Sequence, residues 1–126
     1  MNILLIDNDF KTAMEVKKLI EKMGHKVGFV AKNYNEAMLS LDELIPHLII
    51  ADLELEGNLD GLSAVRDIEE EYQVPIIFYS SIFGKDVLDK IKKLPVINFI
   101  VKARPNKLEE VQIAIELADL KIKSYD

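Results

Sequence analysis

Two runs of consecutive apolar residues, each ended by an aspartate, constrain the fold of this chain more than any other feature. Residues 3–6 are followed by Asp7, and residues 48–51 are followed by Asp52. Runs in which every residue is apolar are typical of strands that are buried on both faces of a parallel sheet. Carboxylates at the carboxyl ends of such strands lie at the edge where α/β folds bind ligands. The sequence therefore predicts two acids at one edge of a sheet.

Two carboxylates in one crevice repel each other. Unit charges about 4 Å apart cost on the order of 4 kcal/mol at an effective dielectric constant of about 20. A divalent cation would relieve this repulsion, so Asp7 and Asp52 are candidates for a site that holds a hard metal ion. The alternative is that each aspartate caps the helix that follows its strand, because Asp is a favoured N-cap residue. The two residues alone leave both interpretations open.

Segments with the spacing of strands and helices alternate along the whole chain. Apolar residues at helical spacing, such as Ala13, Val16 and Ile20, indicate helices, and Gly24 and Pro46 end two of them. The predicted strands are 2–6, 26–31, 47–51, 75–79 and 96–101, and the predicted helices are 10–23, 34–45 (capped by Asn33), 61–72, 85–93 and 107–123.

Five consecutive β/α units predict an α/β fold in which helices cover both faces of one parallel sheet. The common doubly wound arrangement of five strands has the order 2-1-3-4-5 and is flavodoxin-like. Its switch point lies between strands 1 and 3, which are the strands that end at Asp7 and Asp52. We therefore expect a doubly wound five-stranded parallel sheet with five helices, in one domain over residues 1–126.

Composition excludes several classes of function. The chain has 126 residues, 49% of them hydrophobic and 30% charged, which is typical of a globular domain. It has no cysteine, so we expect neither disulfides nor cysteine metal sites, and the cytoplasm is the expected location. No apolar stretch reaches the roughly 18 residues of a membrane helix, and no signal peptide is recognisable. The net charge of −6 argues against direct binding of nucleic acid.

Two further polar residues follow the last two predicted strands. Ser80 comes after residues 75–79, and Lys102 comes after residues 96–101. Taken singly, Ser80 would be a loop hydroxyl and Lys102 a surface lysine. Together with the two acids, they place a hydroxyl and an ammonium group at the same sheet edge. A phosphoryl group needs such partners, so the combination predicts a phosphoryl site.

With these residues in order, the chain resembles the receiver domain of two-component response regulators, over essentially all of its length. The matching segments are residues 4–9, 46–52, 60–62, 75–80 and 99–102. Each segment is short, and their order and spacing make the resemblance specific.

The resemblance implies a role for each site residue. Asp52 would be the phosphoacceptor, and Lys102 would contact the phosphoryl group. Ser80 would be the switch hydroxyl, and Phe99 the switch aromatic that changes rotamer on activation. The residues that would hold the cofactor Mg²⁺ are Asp7, Asn8, Asp52 and, through its backbone carbonyl, Glu54.

The resemblance also implies the partners. The phosphoryl donor would be the phosphohistidine of a sensor histidine kinase or of a phosphotransfer protein. The chain would not be an enzyme, although it would assist its own phosphorylation and dephosphorylation. Its output would be a shift of the face formed by helix 4, strand 5 and helix 5. An output domain could follow residue 126 in a longer protein.

Two departures from the family pattern support a different function. Asn8 stands where a second acid is usual, which should weaken Mg²⁺ binding because the amide carries no charge. Ala103 stands where proline is usual, so no cis peptide bond is expected after Lys102. The alternative function is a degenerate pseudo-receiver that binds partner proteins without being phosphorylated.

A small enzyme of the same fold is the third hypothesis. The five glycines form neither of the two glycine-rich phosphate loops, G-x-x-x-x-G-K-[ST] and G-x-G-x-x-G. A phosphatase of the haloacid-dehalogenase type would need a second aspartate two residues after Asp52, and Glu54 occupies that position. The sequence therefore favours a signalling domain over an enzyme.

The last predicted helix carries two apolar stripes. One should face the sheet and consists of Leu108, Val111, Ile115, Ala118 and Ile122. The other lies nearly opposite and consists of Ile113, Leu117 and Leu120. The second stripe predicts a homodimer or partner surface, or else three scattered exposed residues of the kind that soluble proteins often carry.

Overall fold

The computed structural model describes residues 1–56, 58–81 and 84–124. In this part of the chain, strands and helices alternate as predicted. In chain order, the elements are β1 (Asn2–Ile6), α1 (Phe10–Lys22), β2 (Lys26–Ala31), α2 (Tyr34–Ser40), β3 (Leu48–Ala51), α3 (Asp60–Tyr72), β4 (Ile76–Ser80), α4 (Lys85–Ile91), β5 (Val96–Val101) and α5 (Lys107–Ser124).

The sheet is parallel throughout and has the order β2-β1-β3-β4-β5. The predicted doubly wound topology is thereby confirmed. Ile6 is paired with Ala51 of β3 on one side and with Ala31 of β2 on the other. Since β1 and β3 end in register, Asp7 and Asp52 emerge side by side at the carboxyl edge of the sheet.

Apolar clusters cover both faces of the sheet, which explains the uninterrupted apolar runs. β3 contributes Ile49 and Ala51 to the cluster that contains the buried residues of α2, α3 and α4. It contributes Leu48 and Ile50 to the cluster that contains those of α1 and α5. Successive residues of a strand point to opposite faces, so a strand buried on both sides requires apolar side chains at every position.

The ends of α1 follow the predicted signals. Asp9 is the N-cap, and one carboxylate oxygen accepts hydrogen bonds from Lys11 N–H (3.1 Å) and Thr12 N–H (3.4 Å). At the other end, Gly24 has φ +87°, a conformation that glycine adopts without steric cost. The chain then turns directly into β2.

The predicted end of α2 at residue 45 is wrong, because the helix ends at Ser40. The Ser40 hydroxyl donates to the Ala37 carbonyl at 2.6 Å, and Leu41 N–H bonds to Met38 instead, three residues back. The carbonyl that would continue the α-helical ladder at Leu41 is therefore engaged by a side chain. Tighter turns follow up to Pro46.

Smaller differences occur at six other elements. α1 ends at Lys22 and α5 at Ser124, whereas the predicted ends were 23 and 123. α3 begins at Asp60 and α4 ends at Ile91, whereas the predicted bounds were 61 and 93. β3 begins at Leu48, and β4 runs from Ile76 to Ser80, because Pro75 has no N–H to donate. Ser80 is therefore the last residue of β4 and lies inside the sheet ladder, opposite Val101.

The two stripes of α5 separate as predicted. Val111, Ile115 and Ala118 are fully buried against the sheet. Leu108 and Ile122 are half-buried at the two ends of that stripe. The opposite stripe is solvent-exposed, with relative exposures of 51% for Ile113, 48% for Leu117 and 66% for Leu120. Among the described helices, none combines the length and the apolar character that crossing a membrane requires.

Candidate functional site

Asp7 and Asp52 occupy equivalent places after neighbouring strands. Asp7 N–H bonds to the Ala31 carbonyl at 2.9 Å, and Asp52 N–H bonds to the Ile6 carbonyl at 2.8 Å, so the ladder holds both backbones in place. Their relative exposures are 7% and 6%, which is rare for carboxylates unless they are paired. The site therefore contains two buried acids that need partners.

Neither acid caps a helix, so that alternative is wrong. The N-cap of α1 is Asp9, and the N-cap position of α3 is Leu59. The Asp7 carboxylate instead accepts the Asp9 N–H at 2.9 Å, which shapes the turn at the end of β1. Asp7 Oδ2 and both carboxylate oxygens of Asp52 accept hydrogen bonds from other groups of the site.

The two oxygens of Asp52 have different partners. Oδ1 accepts hydrogen bonds from the Ser80 hydroxyl at 2.7 Å and from Glu54 N–H at 3.1 Å. Oδ2 accepts one from the Lys102 ammonium group at 2.8 Å. Ser80 is fully buried, so its hydroxyl bonds to the acid without competition from water. Charge-assisted bonds of this kind are among the stronger hydrogen bonds in proteins.

Lys102 connects the two acids. Its Nζ lies 2.8 Å from Asp7 Oδ2 and 2.8 Å from Asp52 Oδ2, and the side chain is only 16% exposed. The lysine reaches this place because its N–H bonds to the Ser80 carbonyl at 3.0 Å, which extends the β4–β5 ladder by one residue. One ammonium group therefore balances two carboxylates, and the three groups together carry a net negative charge.

Burial and charge pairing oppose each other in the pKa values of this cluster. Burial raises the pKa of the Asp7 carboxyl, although its hydrogen bond to Lys102 acts in the opposite direction. Burial alone would lower the pKa of the Lys102 ammonium, but its hydrogen bonds to Asp52 and Asp7 outweigh burial and raise it. Lys102 is therefore firmly protonated at neutral pH.

The other predicted site residues lie around this cluster. Asn8 is exposed next to Asp7. Glu54 is half-buried, and its backbone is at the site because its N–H bonds to Asp52. Phe99 is half-buried in β5, and its ring packs against that of Phe78 with 5.9 Å between centroids. The structure thus connects Asp7, Asp52, Ser80 and Lys102 in one cluster through Lys102 and Asp52.

The sequence analysis missed the importance of Gly61. A Cβ atom at this position would lie 1.8 Å from the backbone carbonyl oxygen of Asp52 and 2.9 Å from that of Leu53. The start of α3 therefore packs directly on the backbone of Asp52, and only glycine leaves room for that approach. The sequence signals for it are its place at the first turn of a predicted helix and its place in the matching segment 60–62.

The donor set suits a hard cation and a phosphoryl group. Within the described residues, no three or more His, Cys, Asp or Glu side chains are grouped so that they could hold a metal ion by themselves. The pocket offers two convergent carboxylates, to which Asn8 and the Glu54 carbonyl could add neutral oxygens. Mg²⁺ is commonly held by one or two carboxylates and keeps several waters, so these residues fit that ion.

Comparison with known proteins assigns the family. A family model described as the response regulator receiver domain matches residues 3–115. The chain belongs to this family. The receiver domain of two-component systems is thus the setting in which the four-residue cluster has to be understood.

Solved structures and curated relatives agree with this assignment. The signal receiver domain of a modulated diguanylate cyclase from Desulfovibrio desulfuricans has the same fold, with a TM-score of 0.84 and 23% identity over 99% of this chain and 98% of that one. The phyllosphere-induced regulator PhyR of Methylorubrum extorquens is 36% identical over 63% of this chain and 30% of its own length.

A third relative was solved with a partner protein. The anti-anti-sigma factor PhyR of Bartonella quintana, in complex with the anti-sigma factor NepR, is 31% identical to this receiver domain over 60% of this chain and 31% of its own, with a TM-score of 0.58. The chain spans about a third of the length of the two PhyR relatives.

Proposed function

We propose that this receiver domain is a phosphorylation-dependent signalling switch that accepts a phosphoryl group on Asp52. The observation that carries the proposal is the convergence of Ser80 and Lys102 on the buried Asp52 carboxylate, with Asp7 bound to the same lysine. Such a cluster provides a nucleophile, a hydroxyl that can donate a hydrogen bond to the bound phosphoryl group, and a cation that can pair with the charge of that group.

The charges explain why these partners are needed. A carboxylate and a dianionic phosphoryl group repel each other, and Lys102 offsets part of that repulsion. In the transfer, an oxygen of Asp52 forms the new O–P bond while the P–N bond to a histidine of the donor breaks. The electron pair of that bond stays on the histidine nitrogen. The donor is a sensor histidine kinase or a phosphotransfer protein.

Asp7, Asn8, Asp52 and the Glu54 carbonyl are the residues that would hold Mg²⁺. The ion supplies positive charge that stabilises the oxygens of the transferring phosphoryl group. Because Asn8 adds an oxygen but no charge, the two buried carboxylates account for all of the negative charge that these residues offer the ion.

The switch begins with the hydrogen bond of Ser80. Its hydroxyl now bonds to Asp52 Oδ1, and once that carboxylate carries a phosphoryl group, the hydroxyl bonds to a phosphoryl oxygen instead. This exchange draws the end of β4 towards the phosphoryl group and frees space for the ring of Phe99. The change passes to the face formed by α4, β5 and α5.

The exposed stripe of α5 is the surface that we propose for the output. Ile113, Leu117 and Leu120 form an apolar strip on one side of the helix, opposite the side that packs on the sheet. A second copy of the chain, or an output domain of a longer protein, would cover this strip in the active state.

A second candidate is a pseudo-receiver that binds a partner protein through the same face without phosphorylation. Two observations favour it. Asn8 gives the pocket one acid fewer than usual, and Lys102 and Ser80 already satisfy Asp52 in this structure. A PhyR relative also binds a protein, the anti-sigma factor NepR.

Incubation with acetyl phosphate and Mg²⁺ separates the two functions. A phosphorylated Asp52 gains the mass of one phosphoryl group, and hydroxylamine removes it. We expect this product in the wild type and in the exposed-acid control Asp86→Asn, and none in Asp52→Asn. Absence of the product from the wild type, or its persistence in Asp52→Asn, would contradict the first function.

Beryllofluoride with Mg²⁺, followed by a sizing measurement, tests the output surface. We expect a shift in elution that Leu117→Ser abolishes and Leu39→Ser does not, because Leu39 is 63% exposed on α2, away from the proposed surface. An unchanged elution, equal in the wild type and in Asp52→Asn, would argue against a phosphorylation-dependent homodimer.

A further inference from the structure

Tyr79 is a buried aromatic residue next to the site, and neither the sequence analysis nor the proposed chemistry assigns it a role. It directly precedes Ser80 in β4 and is only 3% exposed. Because successive residues of a strand point to opposite faces, Tyr79 points away from the side of Ser80, into the cluster beneath α1 and α5. The Lys102 ammonium group lies over its ring, with Nζ 5.6 Å from the centroid.

This contact holds the cation by a force that does not depend on the two acids. The face of an aromatic ring attracts an ammonium group, and the attraction grows where water is excluded. Burial raises the pKa of the Tyr79 hydroxyl, although the Lys102 charge acts against this. The ring therefore stays neutral at physiological pH and presents the same surface to the lysine.

The ring matters most when the partners of Lys102 change. In the proposed function, on which this inference rests, the lysine gives up its bond to Asp52 Oδ2 and turns to the phosphoryl group. A lysine side chain has four rotatable bonds along its carbon chain, so it loses considerable conformational entropy when it is held in one place. A ring that contacts the ammonium group before and after transfer keeps it near the reacting oxygens throughout.

We propose that Tyr79 is a positioning residue for phosphoryl transfer and acts through Lys102. Its observed contact with the site is the one between its ring and the Lys102 ammonium group. The competing explanation is that Tyr79 only fills the core, where it belongs to the same cluster as Val16 and Ile77. For that purpose the aromatic face is not needed, and the effect of a substitution would follow the volume that it leaves unfilled.

Three variants separate positioning from packing. Tyr79→Phe keeps the ring and removes the hydroxyl, whereas Tyr79→Leu keeps a buried apolar side chain and removes the ring. Ile77→Val is the matched control, because Ile77 is fully buried two residues earlier, on the same face of β4. Tyr79→Met replaces the leucine variant should that one fail to fold.

The first measurement is the NMR shift of the Lys102 ε-methylene protons in the unphosphorylated domain. Protons over an aromatic face are shifted upfield by the ring current. We expect this shift in the wild type, in Tyr79→Phe and in Ile77→Val, and its loss in Tyr79→Leu. A wild-type shift that Tyr79→Leu leaves unchanged would overturn the proposed contact, whether or not Asp52 is ever phosphorylated.

The second measurement is the rate of phosphorylation by acetyl phosphate with Mg²⁺. We expect Tyr79→Leu to be phosphorylated about threefold to tenfold more slowly than the wild type. Tyr79→Phe should be phosphorylated at the wild-type rate. Combined with Lys102→Met, the leucine substitution should slow the reaction no further, because the residue through which the ring acts is gone. A loss of equal size with and without Lys102 would overturn the proposal in favour of packing alone.

Discussion

The polar contacts at the two edges of the sheet are of different kinds. At the carboxyl edge, Asp7, Asp52, Ser80 and Lys102 contact one another although up to 95 residues separate them in the chain. At the amino edge, the polar contacts lie at the ends of strands and helices. Asn2 N–H, for example, donates to His47 Nδ1 at 2.9 Å, and the two backbones are also bonded.

This difference places the contacts that can bind a ligand at one edge of the sheet and contacts that only stabilise the fold at the other. The bond from Asn2 to His47 at the amino edge uses a backbone donor and holds the start of β1 beside the start of β3. The bonds of the carboxyl edge join charged side chains, which can exchange their partners for a ligand. Substitutions at the carboxyl edge should therefore cost more stability than matched substitutions at the amino edge, and the predictions below test this from the largest effect to the smallest.

Lys102→Met should have the largest effect. It leaves two buried carboxylates facing each other without a cation, so we expect a loss of about 3 kcal/mol in the free energy of unfolding. Lys123→Met is the matched control at the amino edge, where the exposed Lys123 pairs with the partly buried Asp119 at 3.0 Å. That change should cost less than about 0.5 kcal/mol.

Urea unfolding of the two lysine variants, with and without Mg²⁺, checks this prediction. Mg²⁺ should stabilise Lys102→Met by mass action, because the ion binds the two acids only in the folded state. Equal losses for Lys102→Met and Lys123→Met would remove the proposed distinction between the two edges.

Gly61→Ala should rank second. The added Cβ would lie 1.8 Å from the Asp52 carbonyl oxygen, so α3 or the Asp52 backbone must move, at a cost of about 2–3 kcal/mol. Gly24→Ala, at the amino edge, meets no atom within 4 Å and is strained only by its φ of +87°. That strain costs about 1 kcal/mol.

Thermal unfolding ranks the two glycine variants, and the rate of Asp52 phosphorylation separates them further. Gly61→Ala should slow phosphorylation because it displaces the acceptor, whereas Gly24→Ala should leave the rate unchanged. A Gly61→Ala variant with wild-type stability and rate would show that the loop between β3 and α3 adapts freely.

Much of this fold could be predicted from local sequence. β2, whose bounds were predicted without error, illustrates why: its residues are flanked by a glycine that ends α1 and by a capping pair, Asn33 and Glu36. The carboxyl edge was predictable for the same reason, since polar residues that follow apolar runs must emerge there. Local sequence therefore predicts which residues lie at the same edge of the sheet, but not which hydrogen bonds they form there.

The unpredicted details all depend on distances between separate elements or on competing local bonds. The length of α2 depends on the Ser40 hydroxyl, which has a choice of partners that periodicity does not reveal. The contact between Gly61 and the Asp52 carbonyl depends on the path of a loop. Lys102 could have paired with either acid, and only the geometry of the ladder places it between both.

Ser80→Ala should have the third-largest effect. The Ser80 hydroxyl bonds to a carboxylate, so its removal should cost about 2 kcal/mol. Ser40→Ala is the matched control at the amino edge, because Ser40 is also buried but bonds to a neutral carbonyl of its own helix. That change should cost less than about 1 kcal/mol, since alanine is the better helix former.

The serine pair also tests the switch. Ser80→Ala should still be phosphorylated on Asp52, but the response of the Phe99 ring signals to beryllofluoride should be lost. Ser40→Ala should keep the full response. If Ser80→Ala responded as the wild type does, the transmission from site to surface would have to follow another route.

The smallest effect is expected at a carboxylate that, unlike Asp52, forms no ion pair with any described lysine or arginine. Glu69 lies in the last part of α3, near the amino edge, and its Oε2 is buried without a hydrogen-bond partner among the described residues. Burial raises the pKa of the Glu69 carboxyl, although a bond from the Val74 N–H opposes this. Folding therefore favours the protonated form of Glu69.

The sign of the pH dependence follows from this direction. The contribution of protonated Glu69 to stability is fully present below the pKa of the unfolded state and is lost as the pH rises through the raised pKa of the folded state. Glu69→Gln should therefore stabilise the domain slightly at pH 7 and make no difference in acid. Glu70→Gln, an exposed neighbour with the same change in charge, controls for net charge.

Urea unfolding of the two glutamine variants at neutral and at acidic pH decides the matter. A gain at neutral pH that is confined to Glu69→Gln would show that a partly buried carboxylate, one of whose oxygens has no described partner, weakens this fold. The matched loss in Lys102→Met would show the same rule from the other edge of the sheet. If Glu69→Gln were neutral or destabilising at pH 7, its Val74 bond would outweigh its burial, and the two edges would differ less than their charges indicate.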